Sequence, residues 1–251
     1  MRRPFGRDGE RAVSDVLAFV IVFSIIITSV ALVYSTGFSG LQDVRDGEQK
    51  ANAERAMEAL GLSMADIVKG EATRRGGSVN LGGAQLRTNG STEVSVEVGP
   101  PSSPTFSTTE TVGSFEFYAD DTAVAYESGG VFRRDGRASV TVVEPTVTCN
   151  SDTAVVSLVA VTPLSGGLGA TDNVEVTMAE QSTQLLHTQT GSGFDVDVDV
   201  TGTEYTPAWE RTLREQGWTI DGTGSDSVQT SCTTDRVVVR LVVIELTYDT
   251  P

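Results

Sequence analysis

Residues 16 to 34, VLAFVIVFSIIITSVALVY, form a run of nineteen residues without a charge, and thirteen of them are Leu, Ile, Val or Phe. At 1.5 Å per residue a helix of this length spans about 28 Å, close to the ~30 Å hydrocarbon thickness of a bilayer. Thirteen such side chains at roughly -0.3 to -0.6 kcal/mol each favour insertion by about -4 to -8 kcal/mol. Ser24, Thr28 and Ser29 are the hydroxyls before Tyr34, and a helix satisfies them on its own carbonyls. A secretory signal has a shorter apolar region, roughly 7 to 15 residues, followed by a small-residue cleavage site. SVALVYSTG, which closes this run, is a poor site of that kind. Arg2, Arg3, Arg7 and Arg11 precede the run, and the next charge after it is Asp43. That asymmetry keeps the amino terminus cytoplasmic and sends the chain beyond about residue 36 outside. An uncleaved signal anchor satisfies all of these observations.

The stretch RAVSDVLAFVIVFSIIITSVALVY resembles the amino terminus of archaeal type IV pilin-like proteins, particularly halophilic ones. Those open with a short basic leader and an Ala/Gly-Val-Ser start, followed by the apolar helix. The resemblance covers about residues 7 to 70. It implies a prepilin-type peptidase that cuts on the cytoplasmic side, here between Arg11 and Ala12, so that the helix is retained. Asp15 stands where the family's commonest start has proline. After such a cut Asp15 is the fourth residue of the mature chain, in the first helical turn, where the helix dipole favours a carboxylate. There it either pairs with the new terminal ammonium of a neighbouring subunit or lies among the lipid headgroups. The resemblance further implies a non-enzymatic subunit or minor component of a surface filament, associated with like or unlike pilins and serving adhesion. The competing reading is a monomeric extracellular binding module on an uncleaved anchor.

The net charge is -16; residues 1 to 11 carry +2 and the remainder therefore -18. Such a surface repels phosphates, which argues against a nucleic-acid partner. Lys50 and Lys69 are the two lysines, against sixteen arginines. Many carboxylates with so little lysine fit a protein kept soluble in concentrated salt, where repulsion is screened within about 3 Å at 1 M. An acidic protein from a GC-rich genome has the same composition.

Four segments follow from the patterning: a basic leader at 1–11, a transmembrane helix at 12–36, an amphipathic stalk helix at 37–70, and an acidic extracellular β-domain at 79–251. Gly37 and Gly40 loosen the helix as it leaves the bilayer. Leu41, Val44, Ala53, Met57, Leu60, Met64, Ile67 and Val68 then recur at helical spacings. Gly61 is the weak point of that stretch and Gly70 its stop. A stripe of this kind packs against its own ectodomain or lies in a filament core.

From residue 79 helical periodicity gives way to alternating segments at 92–99, 114–119, 122–128, 138–144, 154–162, 173–178, 194–200 and 236–248. Asn89-Gly90, Gly129-Gly130, Asp135-Gly136 and Gly166-Gly167 mark turns. About eight strands predict an antiparallel β-sandwich, so the fold class is α+β. TPAWERTLREQGW reads as a short helix with Thr206 as N-cap, Pro207 in the first turn and Gly217 at the exit. Trp209 and Leu213 lie one turn apart and plug the core edge.

Cys149 and Cys232 each precede a strongly β-like run, and CNSDTAVVSLVAVT and CTTDRVVVRLVVIELT look alike. This is expected of two strands that start at one end of a sheet. Outside the cytoplasm the pair forms a disulfide, or remains as two buried thiols. Asp195, Asp197 and Asp199 lack the glycine and glutamate of a calcium-binding loop. Alternation places them on a solvated face opposite Val196, Val198 and Val200. Asn89 in NGS is a glycosylation acceptor, a hairpin turn, or both. His187 is the sole histidine, no nucleophile elbow or phosphate loop is present, and no catalytic residue, metal site or cofactor is expected.

Overall fold

The computed structural model describes residues 8–82, 84–100, 103–119, 121–162, 168–169 and 173–249. Helix α1 spans Asp8–Val68 and passes through Gly37, Gly40, Gly47 and Gly61 without a break. A single glycine costs a helix about 1 kcal/mol relative to alanine, which the cooperativity of a long helix absorbs. The chain divides into two units, residues 1–49 and 50–251. The division falls inside the expected stalk, so its outer half belongs with the β-structure. In the first unit Thr28 and Ser29 donate to the carbonyls of Ser24 and Ile25 at 2.7 Å each. Arg11, Ala12 and Asp15 lie in the helical backbone, and their side chains fall outside the described residues.

Among the described residues the second unit holds fourteen strands in two sheets: β1 (Arg74–Asn80), β2 (Gln85–Asn89), β3 (Glu93–Val98), β4 (Phe106–Thr111), β5 (Ser114–Ala119), β6 (Thr122–Glu127), β7 (Gly130–Asp135), β8 (Ala138–Val143), β9 (Val147–Cys149), β10 (Ala154–Val161), β11 (Leu168–Gly169), β12 (Asn173–Thr201), β13 (Thr219–Thr223) and β14 (Ser227–Asp249). Helix α2, Thr206–Glu215, follows β12. One sheet runs β4-β3-β12-β14-β10-β9, with β1 beside β12 and β13 beside β14; the other runs β11-β2-β5-β6-β7-β8.

Several expectations need correction. The β-structure starts at Arg74 rather than residue 79, and the sheets are not purely antiparallel, because β10 and β14 run parallel in register from Ala154↔Val237 to Val161↔Ile244. Those are the two look-alike segments, and they do start at the same end. Segments 173–178 and 194–200 are two ends of a single strand, β12. Bulges between Glu180 and Ser182, Leu185 and His187, and Thr190 and Phe194 shift its register. Each bulge resets which face a side chain meets, so the alternation is lost over 179–193. Asn89-Gly90 is not a hairpin: β2 pairs with β5 and β11, whereas β3 pairs with β12 and β4, so residues 90–92 cross between sheets. The β6–β7 turn is Ser128-Gly129, with φ of 44° and 88°, the backbone that suits a two-residue hairpin. Gly166-Gly167 lies outside the described residues. The N-cap of α2 is Tyr205, not Thr206.

Two cores lie in this unit. In one, Ala53, Met57, Leu60, Met64 and Ile67 of α1 pack with Leu86, Phe115 and Phe117 and with Val174, Val176, Val242 and Ile244 of the other sheet. In the second, the valines of β3 and β12 meet Phe132, Tyr205, Trp209 and Leu213. The apolar stripe of α1 thus packs into the β-unit from Ala53 onward, while Leu41 and Val44 are exposed.

Gly61 is a contact point rather than a weak one. A Cβ there would overlap Val131 Cγ2, and a Cβ on Gly77 of β1 would lie 2.6 Å from Leu60 Cδ2. Gly61→Ala therefore lowers stability by about 1–3 kcal/mol through overpacking, against the ~1 kcal/mol that alanine gains in a helix. Gly47→Ala, with open space around it, is the control. Urea denaturation of both variants checks the sign.

Candidate functional site

Sheet β2-β5-β6-β7 is covered on both faces, and its alternation buries carboxylates. Phe115, Phe117, Val124 and Tyr126 face the core with α1, while Ala125 and Phe132 join the core with α2. Glu116 and Glu127, 0% and 1% exposed, are buried among the elements that seat α2. The Glu127 carboxylate accepts from Trp209 Nε1 at 2.6 Å, Thr203 Oγ1 at 2.7 Å and Thr92 Oγ1 at 2.8 Å. Glu116 accepts from Arg87 Nε at 2.7 Å, Ser114 Oγ at 2.8 Å and Tyr205 Oη at 3.3 Å. Burial pushes the Glu127 carboxyl up to about 7, against the opposing pull of its three donors. Residues 203–209 are thereby tied to β5 and β6 by two carboxylates. Neither glutamate stands out in the sequence, where a polar residue between apolar ones in a strand reads as solvent-facing.

Beside this network a polar cleft of about 750 Å³ opens between Arg134, Arg137, Glu204, Glu210, Ser225 and Asp226. Arg134 pairs with Glu204 at 2.9 Å. Trp209 lies in the core and not in the cleft. The ring of His187 stacks on Phe106 with centroids 4.5 Å apart, and its Nε2 lies 3.2 Å from Gln189 Oε1.

Val196, Val198 and Val200 are fully buried, and the alternate Asp195, Asp197 and Asp199 lie on the other face of β12. Asp195 is exposed; Asp197 and Asp199 are half-buried and line a depression with Glu97, Asp221 and Gln229. Burial pushes both aspartates above the ordinary carboxylate range, and Asp221 and Glu97 add to it. Among the described residues no group of His, Cys, Asp and Glu has the arrangement of a metal site.

Cys149 of β9 and Cys232 of β14 are joined, with Cα atoms 6.5 Å apart, within the usual span of a disulfide. The exit of α2 packs on the same spot. Cys149 N–H donates to Gln216 O, Trp218 Nε1 donates to Val147 O at 2.9 Å, and a Cβ on Gly217, at φ 93°, would overlap Cys149 O. Asn89, at the end of β2, is half-buried, and its Oδ1 accepts from Ser91 N–H at 3.1 Å.

In the first unit, Val16–Phe38 has a mean hydropathy of 3.0 and is long and apolar enough to cross a membrane, with none of it buried in the protein. Phe19, Ile21, Ile25, Val30 and Val33 all expose more than half their surface. Apolar helix and β-unit fall within one family match, a family of unknown function (DUF7289), over residues 11–247. The chain belongs to this family. No curated protein and no solved structure matches it. The family's match thus begins at Arg11, ahead of the apolar run, and ends at Thr247 in β14.

Proposed function

We propose that this DUF7289 chain is a pilin-like cell-surface subunit whose work is structural rather than enzymatic. The observation that carries the reading is Val16–Phe38, an apolar helix long enough to cross a membrane and exposed among the described residues. Lipid covers it in the precursor, anchored once in the cell membrane with the β-unit outside. Removal of the leader between Arg11 and Ala12 by a prepilin-type peptidase leaves the helix at the new amino terminus, where copies of it or of other pilins replace lipid in a filament core. The residues from Ala53 to Ile67 then join the rod to a β-sandwich, and the acidic surface faces the salt and sets adhesion. Asp15, in the first turn after the cut, is the residue for pairing with a neighbour's ammonium.

Shearing intact cells tests this directly. The chain is expected in the detached filament fraction, together with other pilins. Recovery solely as a detergent-soluble membrane protein overturns the filament. The second reading, a monomeric binding module on an uncleaved anchor, draws on the polar cleft between Arg134 and Asp226, and it is the outcome left if the chain stays in the membrane.

A further inference from the structure

The longest strand in the β-unit has an open edge. β12 pairs with β14 along one side from Glu175 to Thr201. Along its other side β1 takes residues 173–179 and β3 takes residues 196–201. Over residues 181–194, between those two, no described strand pairs with it, and Phe106 of β4 touches it only by stacking on the ring of His187. The backbone bonds from Glu180 N–H to Thr73 O and from Gly99 N–H to Asp195 O mark the ends of the gap. A strand edge of this kind presents a row of free amide and carbonyl groups.

Proteins normally protect such an edge with charges, proline or bulges. Residues 181–194, QSTQLLHTQTGSGF, have bulges but no lysine, other charge or proline, in a chain of net charge -16. Leu185, near the middle of the gap, is 63% exposed. Other sheet margins are managed differently. β8 is covered by α2 through Ser139 and Thr141, which bond to Ala208 N–H and the Thr212 hydroxyl, and β4 carries Glu110.

The bulges select the partner. They leave two regular stretches of four residues, 182–185 and 187–190, on either side of Leu186. Leu185 pairs with Arg240 and His187 with the next residue, Val239, so the two point to opposite faces. Antiparallel self-pairing about Leu185, with the bulged Leu186 left out, sets 182–184 of one copy against 187–189 of the other. Leu185 then faces Leu185 on the two-fold axis, Gln184 faces His187, and the other opposed side chains are Ser, Thr or Gln. A two-fold contact needs a patch whose like residues can face one another, which this uncharged stretch provides and the acidic remainder does not. We propose that β12 pairs through this edge with β12 of a second copy of the chain. The pairing is independent of the membrane reading, although copies held side by side would gain from millimolar effective concentration.

Residues 50–251 form a compact unit with both cores and the disulfide, so this fragment, once a cooperative thermal transition shows it folded, isolates the contact. In about 1 M KCl, where screening acts within about 3 Å, sedimentation is expected to show a dimer at about millimolar protein. Leu185→Lys, which sets like charges directly opposite on the two-fold axis, is expected to weaken it at least about tenfold, with thermal unfolding unchanged. The Leu185→Cys fragment is expected to give a disulfide-linked homodimer under mild oxidation. The Thr247→Cys fragment, with its cysteine at an exposed position on β14, is expected to give none. A monomer at that concentration, a dimer indifferent to Leu185→Lys, or equal cross-linking of the Thr247→Cys fragment overturns the proposal. Because the fragment lacks residues 1–49, each outcome is read separately from filament formation.

Discussion

Glu127→Ala is expected to lower unfolding free energy by about 3–5 kcal/mol at pH 6, with Glu127→Gln costing about 1 kcal/mol or less. The alanine variant leaves Trp209 Nε1 and the Thr203 hydroxyl without their shared acceptor, and each buried orphan costs about 1–3 kcal/mol. Thr92 escapes, because its hydroxyl can turn to Gly202 O at 3.4 Å. Glutamine keeps Oε1 for Trp209 and Thr203 and presents an amide to Thr92 Oγ1. The two variants also separate in pH. The Glu127 carboxyl lies near 7 in the fold and at its ordinary 4.5 in the open chain, so the folded state holds a proton that the unfolded state has lost. Its contribution to stability is complete below about pH 4.5, falls as pH rises, and is gone above about 7. The loss across that window is about 3 kcal/mol at 1.36 kcal/mol per unit. Subtracting the Glu127→Gln curve from wild type between pH 4 and 8 isolates it. A flat difference contradicts the buried-acid account of how α2 is seated.

Reduction of Cys149–Cys232 is the second large effect. The bond separates residues 83 positions apart, and closing a loop of that size restricts the unfolded chain by about 4–5 kcal/mol in the loop-entropy account. Reduced protein is expected to unfold at correspondingly lower urea concentration, with intact mass rising by two hydrogens. Hydrogen exchange should quicken first at β9, whose three residues depend on the bond and on the Gln216 and Val147 hydrogen bonds with the exit of α2. An unchanged mass on reduction means two free thiols, and the stability shift should then vanish.

The features legible in the sequence were those with one repeated signal. The apolar run is helical throughout, the stripe from Ala53 to Ile67 is buried, and strands such as β3, β5, β6, β8 and β10 fall within a residue or so of their alternating segments. The likeness of the two cysteine-led segments was a trace of the parallel pair β10 and β14. What escaped had its pattern broken by geometry. β1, RRGGSVN, looks like a loop because Gly77 makes room for Leu60. The middle of β12 loses its alternation at three bulges, and with it the open edge. Gly61 reads as a helix breaker although it is where α1 packs against β7. Glu116 and Glu127 were invisible because their partners, Thr203, Tyr205 and Trp209, lie some 80 residues away in the chain. A buried carboxylate carries no local mark; only the far-off donors give it a place.

The measurement closest to the central claim is the intact mass of the native polypeptide recovered from its own cells, taken alongside alkaline extraction of the membranes. A chain beginning at Ala12, resistant to extraction until detergent is added and still containing residues 16–34, is the predicted result. A species that retains Met1, or a soluble one that has lost the apolar helix, contradicts it.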